Sequence, residues 1–287
     1  MAAVAAVWLI WGSTYLGIEI AIETIPPYTM QGIRFVVASI VILWWASRSS
    51  AARPTRAEVR NASFIGVLLL VGGLGSVTLA EDWGVDTGLV ATIIAIQPLM
   101  MSMWGGLWRE WPRRREWFGM VIGLVGVSVL VADDGLSGSF GGVLLVFFAS
   151  LSWSFGSALS RRIAMPSGAH TTGVEMAAAA VVFLVVGRVR GETMEAVSGR
   201  SVFAVAYLTI FGSIVAFSAF THLIANVRPS LAMSYAYVNP LIAVLLGFLF
   251  ADETPSANML ISLPVIMVGV AVVIAAGDRS ESARSTG

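Results

Sequence analysis

The chain has 287 residues, of which 57% are hydrophobic and only 12% charged, with a formal net charge of +0 and a mean hydropathy of +0.85. A soluble domain carries about 25% charged residues, so this composition excludes a soluble globular protein, and the zero net charge excludes a nucleic-acid footprint. Cysteine is absent and only two histidines occur, which leaves no disulfide, thiolate site or histidine-rich metal centre; no cofactor is expected.

Spanning helices need about 20 apolar residues. The first apolar run, 2–22, is too long for a signal h-region and reads as a retained helix. It carries Trp11-Gly12-Ser13-Thr14-Tyr15 near its middle and Glu19 further on. A turn at Pro26-Pro27 leads to a second run, 28–46, which contains Arg34. Counted from that turn, Glu19 and Arg34 both lie about 8–10 Å deep at 1.5 Å per residue. Ionisable groups at such depth pair or line water, so the two are expected to form a coupling or gating ion pair, or else a static clamp. Runs at 61–80, 87–107 and 116–132 follow. The fourth contains Thr92 and Gln97-Pro98-Leu99.

A turn from Asp133 to Ser139 precedes runs at 140–159, 170–187, 201–224, 229–249 and 257–276. The sixth run carries Trp153, the seventh Glu175, within reach of Arg161 or Arg162, and the eighth His222, read as a packing residue. The ninth places Tyr235 and Asn239 on one face at i, i+4, with Ser234 and Tyr237 widening a polar, aromatic surface beside Pro240. Residues 277–287 are polar and expected to be disordered.

The chain also repeats itself. Gln97-Pro98-Leu99 returns as Asn239-Pro240-Leu241 at an offset of 142 (240 − 98), and Trp11 returns as Trp153 at the same offset. Self-similarity on this scale fixes the architecture: an all-α integral membrane protein of ten transmembrane helices, divided into repeats 1–132 and 140–276 and a tail 277–287. Five helices per repeat is odd, so the second copy enters the membrane from the other side and the repeats are inverted. Thirteen arginines fall on one side of this topology and only Arg188, Arg190 and Arg200 on the other. Positive charge stays inside, so both termini are expected in the cytoplasm. Trp44, Trp45, Trp108, Trp111 and Trp117 fit interfacial belts.

Inverted repeats with interrupted helices at matching places point to a carrier whose solute sits near the midplane. The candidate substrate-binding residues are Trp11, Tyr15, Gln97, Trp153, Tyr235 and Asn239. A mid-depth indole faces protein or a cavity, and an amide in hydrocarbon faces inward. Simple packing remains open for the tryptophans, and bonding to proline-freed carbonyls for the two amides. HExxH, GxSxG and paired catalytic carboxylates are absent, so an enzyme is not expected. There is no GxxxxGK loop for ATP. A channel-like pore is the nearest alternative to a carrier, and an intramembrane enzyme a more remote one. The expected partners are a small-molecule solute and the lipid bilayer, without nucleic acid; a monomer is compatible with the sequence.

The segment WGSTYLGI at 11–18, the ETIPP turn at 23–27, GIRF at 32–35 and the paired QPL and NPL helices resemble the drug/metabolite transporter superfamily, in its ten-helix branch with two EamA-type domains. The resemblance spans nearly the whole chain. It implies helical inverted repeats around a central cavity lined chiefly by helices 1, 3, 4, 6, 8 and 9. It also implies export of amino acids, metabolites or drugs by alternating access from a bacterial inner membrane. That branch often ends helices 4 and 9 with a Gly-Glu-Arg/Thr-Pro-like turn. The second repeat keeps Asp252-Glu253-Thr254-Pro255, whereas the first reads Trp108-Arg109-Glu110-Trp111-Pro112, one residue shorter from its proline.

Overall fold

A computed structural model describes residues 2–49, 52–85, 90, 93–131, 139–250 and 257–284, and among them every regular element is helical. In chain order they are α1 (Ala2–Ile22), α2 (Pro27–Ala46), α3 (Arg56–Asp82), α4 (Gln97–Leu107), α5 (Arg114–Val131), α6 (Phe140–Ser160), α7 (Ala169–Val189), α8 (Gly199–Asn226), α9 (Tyr235–Phe250) and α10 (Ala257–Arg284). Among the described residues, α1, α2, α3, α6, α7 and α8 are six helices long and apolar enough to cross a membrane. The turns around Asp133 and Asp134 and from Asp252 to Pro255, together with Asp86 and Thr92, lie outside the described residues.

Local chemistry sets the helix ends. Pro27 opens α2, where its missing N–H costs nothing, and Glu192 caps the same end, accepting from Thr29 N at 2.7 Å and Tyr28 N at 3.2 Å. Thr55 and Glu58 form a capping box at the start of α3. Ser139 and Ser198 cap α6 and α8 by accepting from Gly142 N and Ser201 N. The shortened Trp108–Pro112 turn closes α4 with Arg109 in the left-handed region at φ 61°, while Glu110 N bonds back to Gly105 O at 3.0 Å, the Schellman pattern that satisfies orphan carbonyls.

Two departures from straight helices matter for the site. First, α3 and α8 each contain a long π-helical stretch, Val67–Gly75 and Leu208–Phe217. They begin 141 residues apart (208 − 67) and end 142 apart (217 − 75), which is the repeat offset. Such stretches recur at functional sites. Second, the proline helices are broken. Instead of one helix over 87–107, the chain turns at Ala95–Ile96 and restarts at Gln97 with Pro98 in its first turn. Instead of one helix over 229–249, a single turn at Pro229–Ala232 precedes α9, which holds Pro240 within it. Proline fits the first turn of a helix, and so Pro98 marks a restart where the sequence suggested a kink.

A further correction concerns the tail. Ala257–Arg284 is one helix, so residues 277–284, expected to be disordered, are helical. Once a helix is nucleated, each added residue gains a bond, and Arg, Glu and Ala are good helix formers.

Equivalent helices of the two repeats pack against each other. Gly32 of α2 faces Leu184 of α7, and Gly173 of α7 faces Leu43 of α2, so the pair runs antiparallel. α5 and α10 meet so closely that a Cβ on Gly269 would lie 2.6 Å from Gly123 N; only glycine permits that approach. Outward faces carry exposed Leu9, Ile40, Trp45, Phe118, Val185 and Phe203, the apolar periphery of a bilayer protein.

Candidate functional site

The residues that converge inside the bundle come from both repeats. α1 supplies Trp11 and Tyr15, α4 Gln97, α6 Trp153, and α9 Tyr235 and Asn239; all six line one central cavity of about 80 Å³. The Trp11 indole donates to Gly212 O in the π stretch of α8 at 3.2 Å. Its ring meets Trp153 edge-on at 5.5 Å and Tyr235 at 4.9 Å. Tyr235 Oη donates to Gln97 Oε1 at 2.9 Å. The Trp153 indole N–H is buried beside the Tyr235 hydroxyl without reaching full hydrogen-bond geometry, a weakly met donor in the cavity wall.

Asn239 is 2% exposed. With its amide nitrogen turned to the neighbouring carbonyls, it donates to Tyr235 O at 3.0 Å and Trp8 O at 3.3 Å. Pro240 leaves the carbonyl of Ala236 without its helical donor, and Asn239 does not reach that carbonyl; it ties α9 to α1 instead. Ser234 accepts from the Trp8 indole at 3.0 Å. Tyr237 belongs elsewhere. It is fully buried against Gly123 of α5, because residues two apart on a helix do not share a face.

Arg34 does not pair with Glu19. Its Nε donates to Ser213 Oγ at 2.6 Å and its Nη1 to Gln31 Oε1 at 3.4 Å, while Gln31 Nε2 donates to Thr78 Oγ1 at 2.9 Å. Glu19 is exposed. Depth along the two helices matched, but their neighbours differ. α2 packs along α7 and the π stretch of α8, whereas α1 packs along α8 and α9. Arg34 therefore lines the central cavity, lying across Gly212, where a Cβ would come within 2.9 Å of Nη2.

A wider vestibule of about 550 Å³ opens towards the end of the bundle that carries Arg161 and Asn226. Glu175, 1% exposed, lines it with Oε2 unpartnered. The expected approach of Glu175 to Arg161 or Arg162 does not occur: Arg161 Nη1 donates to the carbonyls of Ile224 and Val227, and Arg162 pairs with Glu110. His222 is exposed on the vestibule rim beside Asn226, not packed inside. Phe220 divides the two spaces. Its ring lies 5.0 Å from Trp11, 5.3 Å from Trp153 and 5.7 Å from Tyr235, and it also lines the vestibule. Phe217, Phe220, Gly212 and Ser213 escaped sequence reasoning. The signal available was the repeat offset itself, which brings the third helix of each half into register.

A cavity built from broken and π-interrupted helices of two repeats is the arrangement of solute carriers. Two stretches of the chain, residues 1–132 and 140–275, each match the family model described as "EamA-like transporter family". The chain belongs to this family. It is thus a multi-pass membrane protein of a transporter family, and the resemblance read from its motifs holds. The EamA-like chain is 42% identical over 272 residues to "Uncharacterized inner membrane transporter YedA" of Escherichia coli (strain K12), covering 94% of this chain and 89% of that protein. It is 24% identical over 269 residues to "Protein PecM" of Dickeya dadantii, covering 92% and 88%. A solved crystal structure with 22% sequence identity shares the fold, with a TM-score of 0.80 and 98% of each chain covered.

Proposed function

We propose that this chain is a secondary transporter that exports small organic solutes by alternating access. In this reading it forms ten transmembrane helices as two inverted five-helix repeats in the inner membrane, with both termini cytoplasmic. One observation carries the proposal: six polar and aromatic residues from both repeats surround one cavity, with a wider vestibule on the other side of the Phe220 ring cluster. Trp11, Tyr15, Gln97, Trp153, Tyr235 and Asn239 are the proposed solute contacts. The antiparallel packing of α2 on α7 supports the inversion. The vestibule lies at the arginine-rich end that charge bias assigns to the cytoplasm, which is the loading side of an exporter.

An 80 Å³ cavity is smaller than the roughly 300–1,000 Å³ of typical ligand pockets. A larger solute therefore requires the cavity wall to rearrange. The test is an export panel in an overexpressing strain, backed by reconstituted vesicles. Efflux of at least one solute that saturates, shows counterflow and is lost in Asn239→Ala supports a carrier. Flux with neither saturation nor counterflow would replace it with a pore.

A further inference from the structure

Among the described residues, one charged side chain lines the central cavity. Arg34 is 3% exposed and lines the space, and among the described residues lining it there is no aspartate or glutamate. None of the ion pairs among the described residues involves Arg34. Its hydrogen-bond partners, Ser213 and Gln31, are neutral. Glu81, further along α3, is half-buried with both carboxylate oxygens unpartnered; it forms no ion pair with Arg34 and lies within electrostatic range of Tyr15 in the cavity wall. A guanidinium stays protonated in proteins, and a buried charge in a membrane is costly unless paired.

We propose that the missing partner is the solute: the cavity takes an organic anion, a monocarboxylate with a small apolar body, and Arg34 is its anchor. This rests on the cavity being the solute site. Nε and one Nη1 hydrogen are engaged, which leaves Nη2 and the other Nη1 hydrogen to donate to a carboxylate. The guanidinium reaches that position because Gly212 has no side chain to block it. The rest of the wall suits the body of such a molecule, with Trp11, Trp153 and Phe217 offering apolar surface. The weakly met Trp153 N–H provides a second donor and no acceptor. An ammonium finds no carboxylate among the described lining residues, and the Trp11 ring is already engaged by Trp153, Phe220 and Tyr235. A zwitterion would leave its cationic end unpaired. The site therefore selects a net anion over an amine or an amino acid.

The test uses the purified full-length protein in detergent, with thermal unfolding read at increasing sodium propionate, propylamine, L-alanine or sodium chloride in a buffer that holds no other organic anion. Propionate is expected to raise the midpoint saturably, and the other three are not. The propionate response should weaken about tenfold or more in Arg34→Gln, since hydrogen bonds to a charged group are among the strong ones. It should be weakened but present in Arg34→Lys, which keeps the charge without the fork. Arg200→Gln, which removes an exposed arginine bridged to Glu23, controls for loss of charge and should respond as the unaltered chain does. Because Arg34 has no charged partner to strand, Arg34→Gln should fold; should it not, Arg34→Lys carries the comparison. An equal response to chloride, alanine or propylamine would overturn the assignment, as would a propionate response unchanged in both variants. Saturable efflux of some solute that depends on Asn239, together with no preference for carboxylates, would retain the carrier and remove the anion anchor. No efflux of any solute, together with a selective propionate response, would do the reverse.

Discussion

Arg34 and Glu175 occupy equivalent places in the two repeats, 141 residues apart (175 − 34). Both are buried and neither is ion-paired among the described residues. There the likeness stops. Arg34 lines the small central cavity, and Glu175 lines the larger vestibule. The residues that build the frame kept their character between repeats: Trp11 and Trp153, Gln97 and Asn239, and the two π stretches. The charged position changed sign. In an inverted-repeat carrier the frame must be near-symmetric, because both facing states use the same packing in exchanged roles. The chemistry met along the path need not be symmetric. Departures from the repeat are therefore better markers of specificity than its echoes.

The largest expected effect breaks the comparison at the helix beside Glu175. A Cβ on Gly66 of α3 would lie 2.4 Å from Glu175 O and 2.5 Å from its Cα. The second repeat puts Tyr207 at the matching place (207 − 66 = 141), where its hydroxyl meets Ser13 Oγ of α1. Gly66→Leu should therefore force α3 from α7 and destabilise by about 3 kcal/mol, the upper end for overpacking. Tyr207→Phe removes one hydrogen bond and should cost about 1 kcal/mol. Denaturant unfolding in detergent measures both, and similar losses in the two variants would show that the close approach is not confined to the first repeat.

Much of the site was legible because its residues combine two signals, an apolar run that tolerates few polar groups and a repeat that doubles each one. Gln97 with Asn239 and Trp11 with Trp153 met both conditions. The π stretches offered no such repeated polar or aromatic pair. They contain no proline, and Val67–Gly75 reads as an ordinary apolar helix, since hydropathy is blind to a change from i→i−4 to i→i−5 bonding. The Glu19–Arg34 pairing failed for a different reason. Depth along a helix can be counted from a turn, but which neighbour a helix leans on depends on the whole bundle, and α2 leans on α7. The position of Arg34 was legible; its partner Ser213, 179 residues away, was not.

A smaller effect separates the two tryptophans. Trp11 donates to Gly212 O, and the Trp153 N–H makes no full hydrogen bond. Trp11→Phe should strand a buried carbonyl and cost about 1–2 kcal/mol beyond its lost ring volume. Trp153→Phe strands no carbonyl, so its loss of about 1 kcal/mol comes from ring volume removed from the buried cluster, and it should also weaken the propionate response. Equal stability losses would mean that the Trp153 donor is satisfied, and the cavity would then lose its second donor.

The smallest expected effect is a null, and it bears on the opening contrast directly. In the antiparallel α2–α7 pair Gly32 faces Leu184 and Leu43 faces Gly173. Glu175 therefore lies level with about residue 41, and at 1.5 Å per residue it is about 10 Å along the axis from Arg34. Separate cavities and separate partners leave no shared contact. Removing one member of a buried ion pair costs about 3–5 kcal/mol, with recovery in the double variant; sites this far apart without shared partners add within about 0.3–0.5 kcal/mol. Arg34→Gln and Glu175→Gln should each fall short of the ion-pair cost, and the double variant should equal their sum. A coupling energy above about 1 kcal/mol would show that the two charges sense each other through the bundle. The vestibule and the central cavity would then have to be treated as one electrostatic site, with Glu175 as the counter-charge that the cavity itself lacks.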